Sequence, residues 1–248
     1  MRINLLGVNI DAVGRWEAMR IITRRISIGK PTAVFTPNPI MVHRAMKDKH
    51  FCEALNRGDL TVADGVGLVY GARIMGLPSL PRVAGIDLAE DTLAYAEGAG
   101  LRVFLLGGKA GVAEQAAKRL RERFPSLTIC GTHHGYFEDG ESHAICRRIR
   151  EARADVVFVC LGSPRQELWI DQNRGDLATV WLFMGLGGAL DVWSGTLRRA
   201  PRAVSKAGME WAWRMAREPR RLRGLAPIFS FFCAALRERG KKRKKKRI

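Results

Sequence analysis

One acidic residue stands where parallel α/β sheets bind their ligands. Asp64 comes directly after the apolar run at residues 60–63 and is followed by Gly65 and an apolar helix start. In open α/β sheets, ligands bind beyond the carboxyl ends of the strands, so Asp64 is a candidate catalytic carboxylate. Asp is also a favoured helix N-cap residue, and spacing alone leaves both roles open.

A glycine-rich turn follows the strongly apolar run at residues 101–106. Residues 107–111 read Gly-Gly-Lys-Ala-Gly and lead directly into an amphipathic segment. A strand, a glycine loop and a helix N-terminus together form a site for an anion such as a diphosphate. Gly107 and Gly108 are therefore candidate ligand-binding residues. An ordinary βα turn is the alternative, because the P-loop and dinucleotide fingerprints are both missing.

A third polar turn, Gly-Ser-Pro-Arg-Gln-Glu, occupies residues 162–167. Its proline predicts a helix start that places Arg165 and Gln166 in the first turn. An arginine there opposes the helix dipole, which indicates that something anionic approaches. The alternative is again an ordinary turn between a strand and a helix.

Metal binding is not expected. His133 and His134 are adjacent and have no third ligand nearby in the sequence, and neighbouring residues rarely chelate one ion. Asp139 and Glu141 come nearest to a D-x-D pair, but acidic residues also suit the first turn of the helix predicted after them.

Apolar runs alternate with amphipathic segments along the whole chain. This pattern predicts an α/β fold with a Rossmann-like, mostly parallel sheet flanked by helices. Residues 3–10 are predicted as the first strand, with Asp11 capping the helix that follows. The run at residues 155–161 is the most strand-like and predicts a central strand buried on both faces.

The basic residues are concentrated at the C-terminal end. Residues 195–248 hold eighteen Lys/Arg against three Asp/Glu, whereas residues 1–194 hold twenty-four against twenty-one. Such a region binds phosphate in nucleic acid, anionic lipid or a phosphorylated substrate. We therefore divide the chain into an α/β core (1–195), a C-terminal helical appendage (196–239) and a disordered polybasic tail (240–248).

The appendage has the composition of a membrane-interface segment. Phe229, Phe232, Cys233 and Leu236 fall at one-face helical spacing and precede a run of Lys and Arg. The uncharged apolar run at residues 225–236 is too short to span a bilayer. Five scattered cysteines favour a reducing compartment. We expect a cytoplasmic protein, peripherally associated with the inner face of the membrane.

Several short motifs resemble those of the WecG/TagA/CpsF glycosyltransferase family over about residues 1–225. They are T-x-N-P at Thr36 and Asn38, A-D-G at Asp64, R-x-x-G-x-D from Arg82 to Asp87, G-x-P-x-Q-E from Gly162 to Glu167, Gly185 with Gly187 and Asp191, R-A-P from Arg199, Glu210-Trp211, Arg214, and E-P-x-R from Glu218 to Arg221. The sequence departs from the family at Gly224, where further arginines and an aromatic residue are usual, and in the lysine tail.

The resemblance implies metal-independent, inverting transfer of an N-acetylmannosamine-type or related sugar. The donor would be a UDP-sugar and the acceptor a polyprenyl-diphosphate-linked sugar at the membrane. By match, Asp64 would be the general base, Thr36 and Gln166 would line the reaction centre, and Arg82 would contact the diphosphate. The candidate substrate-binding residues are Asn38, Arg82, Asp87, Gly107, Gly108, Tyr136, Glu167, Asp191, Arg214 and Arg221.

Two other classes of function compete with a glycosyltransferase. A nucleic-acid-binding protein would explain the run of Lys and Arg at residues 241–247, but that run lacks interleaved aromatic residues. A dinucleotide-dependent oxidoreductase would suit the fold class, but the fingerprint is missing. We therefore expect a UDP-sugar, a polyprenyl-diphosphate-linked acceptor and an anionic membrane as partners, no nucleic acid, and no cofactor. A homo-oligomer stays open.

Overall fold

The computed structural model describes residues 1–201 and 225–245, together with positions 204 and 213. The strands in these residues are β1 (Arg2–Leu5), β2 (Val8–Asp11), β3 (Thr32–Phe35), β4 (Leu60–Thr61), β5 (Arg102–Gly107), β6 (Thr128–His133), β7 (Val156–Cys160) and β8 (Leu182–Gly185). The helices are α1 (Arg15–Ser27), α2 (Pro39–Ala45), α3 (Lys49–Asn56), α4 (Val66–Ile74), α5 (Gly85–Gly98), α6 (Val112–Arg123), α7 (Ser142–Glu151), α8 (Arg165–Asn173), α9 (Ala189–Trp193) and α10 (Leu225–Lys245).

Six of the strands form one parallel sheet in the order β4-β3-β8-β7-β5-β6. Every residue of β7 is buried, and this strand lies between β8 and β5. Strands covered on both faces are continuously apolar, which is why residues 155–161 stand out in the sequence. The predicted α/β class and the central position of this strand are confirmed.

Helices cover both faces of the sheet and enclose two apolar clusters. One cluster includes Ile22 of α1, Leu93 of α5 and Leu120 of α6. The other includes Phe51 of α3 and Ile170 of α8. The sheet therefore holds its loops at the two edges, where polar residues can meet solvent and ligands.

The N-terminal residues differ from the predicted single strand. β1 and β2 pair with each other in an antiparallel hairpin outside the main sheet. Leu6 and Gly7 form the turn with φ of 53° and 98°, and positive φ at both central turn residues suits the twist of a hairpin. Asp11 does not cap α1, whose N-cap is Gly14; its carboxylate accepts hydrogen bonds from Arg2 and from the Thr61 N–H.

The C-terminal helix α10 packs against α2 and α4. Phe231 has no exposed surface and lies directly on Gly71 of α4, where a Cβ atom would overlap its ring. Of the apolar face predicted for the membrane, Phe229 is 68% and Leu236 is 55% exposed, and Cys233 is exposed. Phe232, by contrast, packs partly against the core.

The same helix continues to Lys245 and so crosses the predicted boundary at residue 240. Within the described residues, no helix is both long and apolar enough to cross a membrane. Arg214, Arg221 and the motif residues Glu210 and Trp211 lie outside the described residues, so their predicted roles stay predictions.

Candidate active site

The carboxyl ends of the parallel strands bring most of the predicted residues to one edge of the sheet. Thr36 follows β3, Asp64 follows β4, Gly107 ends β5, and Gln166 lies in the helix after β7. Because all six strands run the same way, the turns that carry these residues share one edge. The parallel topology thus brings Thr36 and Gln166 to the same edge of the sheet, although they are 130 residues apart in the sequence.

Thr36 and Asp64 lie on neighbouring turns. The Asp64 N–H donates to the Pro37 carbonyl at 2.9 Å, which extends the pairing of β3 with β4. Thr36 in turn lies against the start of α5, because a Cβ atom at Gly85 would come within 2.7 Å of Thr36 Oγ1. This contact gives a packing reason for the glycine of the R-x-x-G-x-D motif.

The capping interpretation of Asp64 is not supported. Helix α4 begins at Val66, and its N-cap position is occupied by Gly65 with φ of 88°. Asp64 therefore stands one position before the N-cap, partly buried at the carboxyl end of β4. The role of Asp64 as general base stays a prediction. The N-cap position of α4, which was the alternative role, belongs to Gly65.

Asn38 does the capping at the adjacent turn. Its Oδ1 accepts hydrogen bonds from the N–H groups of Ile40 and Met41, at 3.0 and 3.1 Å. Pro39 occupies the first helical position, where its missing N–H costs nothing. The predicted contact of Asn38 with substrate is consequently left to its Nδ2 group.

The glycine turn after β5 is packed tightly against β7. A Cβ atom at Gly107 would overlap the Cys160 carbonyl, and the Gly108 N–H donates to that carbonyl at 3.4 Å. The Gly135 N–H donates to the Gly108 carbonyl at 2.8 Å. Close packing therefore accounts for the glycines, and the predicted anion contact at Gly107 and Gly108 stays a prediction.

Arg165 donates hydrogen bonds to the segment that carries Tyr136. Its Nη1 donates to the Gly135 carbonyl at 2.6 Å, its Nη2 donates to the Phe137 carbonyl, and its guanidinium lies 4.3 Å from the centre of the Phe137 ring. Tyr136, between the two carbonyls, is 70% exposed. Arg165 thus contacts two carbonyl oxygens and an aromatic face, and the predicted approach of an anion stays a prediction.

Gln166 and Glu167 form a buried polar pair behind this edge. Gln166 Nε2 donates to Glu167 Oε1 at 2.6 Å, and the Gly187 N–H donates to Gln166 Oε1 at 2.7 Å. Glu167 has no exposed surface. Burial raises the pKa of the Glu167 carboxyl, and hydrogen bonding to Gln166 and Ser163 lowers it in part. A direct contact of Glu167 with substrate is not supported by this burial.

The two remaining acidic candidates contact the start of the C-terminal region. The Asp87 carboxylate accepts a hydrogen bond from Arg199 of the R-A-P motif, and Arg15 lies 3.9 Å from its other oxygen. The Asp191 carbonyl accepts a hydrogen bond from the Leu197 N–H at 2.8 Å. Arg82, predicted to contact the diphosphate, is partly buried and lies three residues before Gly85, the first residue of α5.

Residues that could hold a metal ion do not converge in the described part of the chain. No group of three or more His, Cys, Asp or Glu side chains there is arranged as a metal site. The His133 and His134 rings are tilted by 43° with centres 4.6 Å apart, and His133 Nδ1 lies 2.8 Å from the His134 carbonyl oxygen. Metal-independent chemistry stays a prediction.

Sequence reasoning missed two structural partners of the site. The Arg165 contacts join residues about thirty positions apart, and the Arg199 contact with Asp87 spans 112 positions. The only sequence signal was the unusual arginine in the first turn of α8, which indicated a partner but not its nature.

The structure thus combines a parallel α/β fold with a polar edge that carries Thr, Asp and Gln side chains. The model of the Glycosyl transferase WecG/TagA/CpsF family matches residues 3–245, and the chain belongs to this family. Among its relatives are the N-acetylglucosaminyldiphosphoundecaprenol N-acetyl-beta-D-mannosaminyltransferases of Staphylococcus aureus strains MW2 and NCTC 8325. Each is 31% identical over 247 residues, which cover 98% of this chain and 96% of the relative. The protein is a glycosyltransferase.

Proposed function

We propose that this protein transfers an N-acetylmannosamine-type or related hexose from a UDP-sugar to a polyprenyl-diphosphate-linked sugar in cell-surface polysaccharide synthesis. The family match over residues 3–245 carries the proposal. The acceptor and sugar are those in the names of relatives that align along nearly the whole chain. Nucleic-acid binding and dinucleotide-dependent oxidation gain no support from these observations.

In the proposed reaction, Asp64 accepts the proton of the attacking acceptor hydroxyl. The hydroxyl oxygen forms a bond to the anomeric carbon, and the bond from that carbon to the diphosphate oxygen breaks. The bonding electron pair leaves with UDP, and attack from the opposite face inverts the configuration. A positioned carboxylate base contributes about 10²- to 10⁴-fold to such a step.

The leaving diphosphate needs positive charge, which we assign to arginines. Arg82 stands at the carboxyl edge, and Arg214 and Arg221 complete the proposed set. Arginine suits this role because its planar fork binds phosphate oxygens in pairs. Excess EDTA should therefore leave transfer intact; loss of activity that Mn²⁺ or Mg²⁺ restores would instead point to Glu141 and its neighbour Asp139.

We also propose that the protein binds the cytoplasmic face of the membrane through α10. Phe229 and Leu236 are exposed on this helix, and basic residues follow them toward its end. Each charge near an anionic surface is worth up to about 1 kcal/mol. Changing Phe229 and Leu236 to Ser should release the protein from anionic liposomes; the matched double change of exposed Ile28 and Met46 should not.

The experiment that tests the proposed activity is a panel of UDP-sugars with a short-chain lipid-diphosphate-GlcNAc acceptor. We expect one UDP-N-acetylhexosamine to give a lipid-diphosphate-linked disaccharide. Its new glycosidic bond should have the anomeric configuration opposite to that of the sugar in the UDP-sugar. Absence of product from every donor, with the protein folded, would contradict the proposed substrates.

A further inference from the structure

The Gln166 amide is held from two sides. The Gly187 N–H donates to Oε1 at 2.7 Å, and Nε2 donates to Glu167 Oε1 at 2.6 Å. The amide also packs closely against the last residue of β8, because a Cβ atom at Gly185 would come 3.1 Å from Nε2. These contacts leave the buried amide little room to move.

The two hydrogen bonds also fix which end of the amide is oxygen. A backbone N–H only donates, so it requires Oε1 on the Gly187 side. A carboxylate accepts, so Nε2 belongs on the Glu167 side. In the reversed orientation the carboxylate would face Oε1 and the Gly187 N–H would face Nε2, which loses both bonds in a buried place.

This arrangement leaves a defined share of the amide for a ligand. A primary amide has two donor hydrogens and two acceptor lone pairs, and one of each is already used. The site around Gln166 therefore has one N–H and one lone pair to offer. Glu167 itself has no exposed surface, so any effect that it has on bound substrate passes through Gln166.

We infer that Glu167 is a positioning residue that locks the Gln166 amide in one orientation, so that Nε2 presents its second hydrogen to an oxygen of the bound donor. The inference rests on the proposed place of Gln166 at the reaction centre. The position of the Glu167 oxygen, more than its charge, carries this role, since an amide oxygen at the same place can accept the same bond.

Two conservative changes separate position from charge. Glu167→Gln keeps the side-chain length and an acceptor oxygen but removes the charge. Glu167→Asp keeps the charge but withdraws the oxygen by about 1.5 Å, the length of one carbon–carbon bond. Misplacement of a catalytic contact by about 1 Å can cost about 100-fold in rate. We expect Glu167→Asp to lower kcat about 10- to 100-fold with little change in KM, and Glu167→Gln to retain at least about fivefold more kcat than Glu167→Asp.

A spectroscopic measurement tests the contact without any substrate. The side-chain ¹⁵N resonance of Gln166, identified by its loss in Gln166→Leu, should shift in both Glu167 variants. The matched control is Glu122→Gln on exposed α6 surface, which should leave that resonance in place. An unshifted Gln166 resonance in a folded Glu167→Gln protein would overturn the inference, even where Glu167→Asp fails to fold.

The activity data separate this inference from the proposed function. Wild-type kcat in Gln166→Leu would overturn the place of Gln166 at the reaction centre, and the inference with it. A large loss in Gln166→Leu together with wild-type kcat in Glu167→Asp would overturn the inference alone. A loss in Glu167→Gln as large as or larger than that in Glu167→Asp would also overturn it, because keeping the acceptor oxygen in place would then give no advantage.

Discussion

Two carboxylates at opposite edges of the parallel sheet are held in different ways. Asp59, at the amino edge before β4, is paired with Arg25 at 2.5 Å and Arg174 at 3.2 Å, and it accepts a hydrogen bond from the Ala33 N–H. Glu167, near the carboxyl edge, has the neutral Gln166 amide as its partner, and its burial raises the pKa of its carboxyl.

The difference shows what each edge is built for. At the amino edge, each Asp59 oxygen accepts from at least one donor. The carboxylate thereby connects α1, the end of α8 and the start of β3. At the carboxyl edge, Glu167 is buried against a neutral amide instead of an arginine. Groups with perturbed ionisation are typical of functional sites, and Glu167 lies near the edge where ligands bind.

The largest effect expected is on catalysis at the carboxyl edge. Asp64→Asn should lower kcat by at least about 100-fold, because an amide cannot accept the acceptor's proton. Affinity for UDP, measured by calorimetry, should change little. Wild-type turnover in this variant would remove Asp64 from the mechanism. It would also contradict the view that the carboxyl edge is catalytic and the amino edge structural.

The same change at the amino edge should affect folding instead. Asp59→Asn weakens hydrogen bonds between charged groups, each worth about 1.5–3 kcal/mol, so we expect the free energy of unfolding in urea to fall by about that amount. Its kcat in the folded state should match the wild type. A catalytic loss with unchanged stability would contradict the structural role of this edge.

A smaller effect should follow from loosening the Tyr136 segment. Arg165→Lys keeps the charge but loses the two-armed contact with the Gly135 and Phe137 carbonyls. We expect KM for the UDP-sugar to rise about three- to tenfold, with kcat changed less. Arg57→Lys, which disrupts a comparable two-armed contact with Asp171, is the control and should leave KM alone.

The smallest effect expected is on the pH dependence of stability. The pKa of Glu167 is higher in the folded protein than in the unfolded chain, so the folded state holds this proton more tightly. The resulting stabilisation is present below the unfolded pKa and is lost as the pH rises through the folded pKa.

Glu167→Gln has no such proton to lose. Urea unfolding should therefore be measured from below the unfolded pKa of Glu167 to above its folded pKa. The free energy of unfolding of the wild type should fall relative to that of Glu167→Gln as the pH rises. A difference between the two proteins that stays constant with pH would show that Glu167 does not titrate differently on folding.

The fold class was predictable because it depends on local patterns. Alternating apolar and amphipathic runs predict a parallel sheet with crossover helices. Asp64 becomes a candidate from its place at a strand end, whereas the role of Gln166 comes from the resemblance to the family. The hairpin of β1 and β2 was missed because Leu6-Gly7 is not one of the usual turn dipeptides. Helix α3 was also missed, although Asp48 caps it by accepting from the Phe51 N–H.

The partners of the site residues were not predictable, since they are distant in sequence. Nothing near Arg165 indicates the Gly135 and Phe137 carbonyls, and nothing near Asp87 indicates Arg199. The faces of α10 show the same limit. Helical spacing predicts one apolar face that includes Phe229 and Phe232, but the packing of the helix against α2 and α4 buries Phe231 and leaves Phe229 exposed.

The contact between Phe231 and Gly71 constrains how this family can diverge. A side chain at position 71 would occupy the space of the Phe231 ring, so a larger residue at position 71 requires a smaller residue or a displaced ring at position 231. Aligned relatives that carry alanine or serine at position 71 should therefore have a smaller residue at position 231. In evolutionary terms, position 231 of the C-terminal helix is coupled to position 71 of the helix that begins beside Asp64.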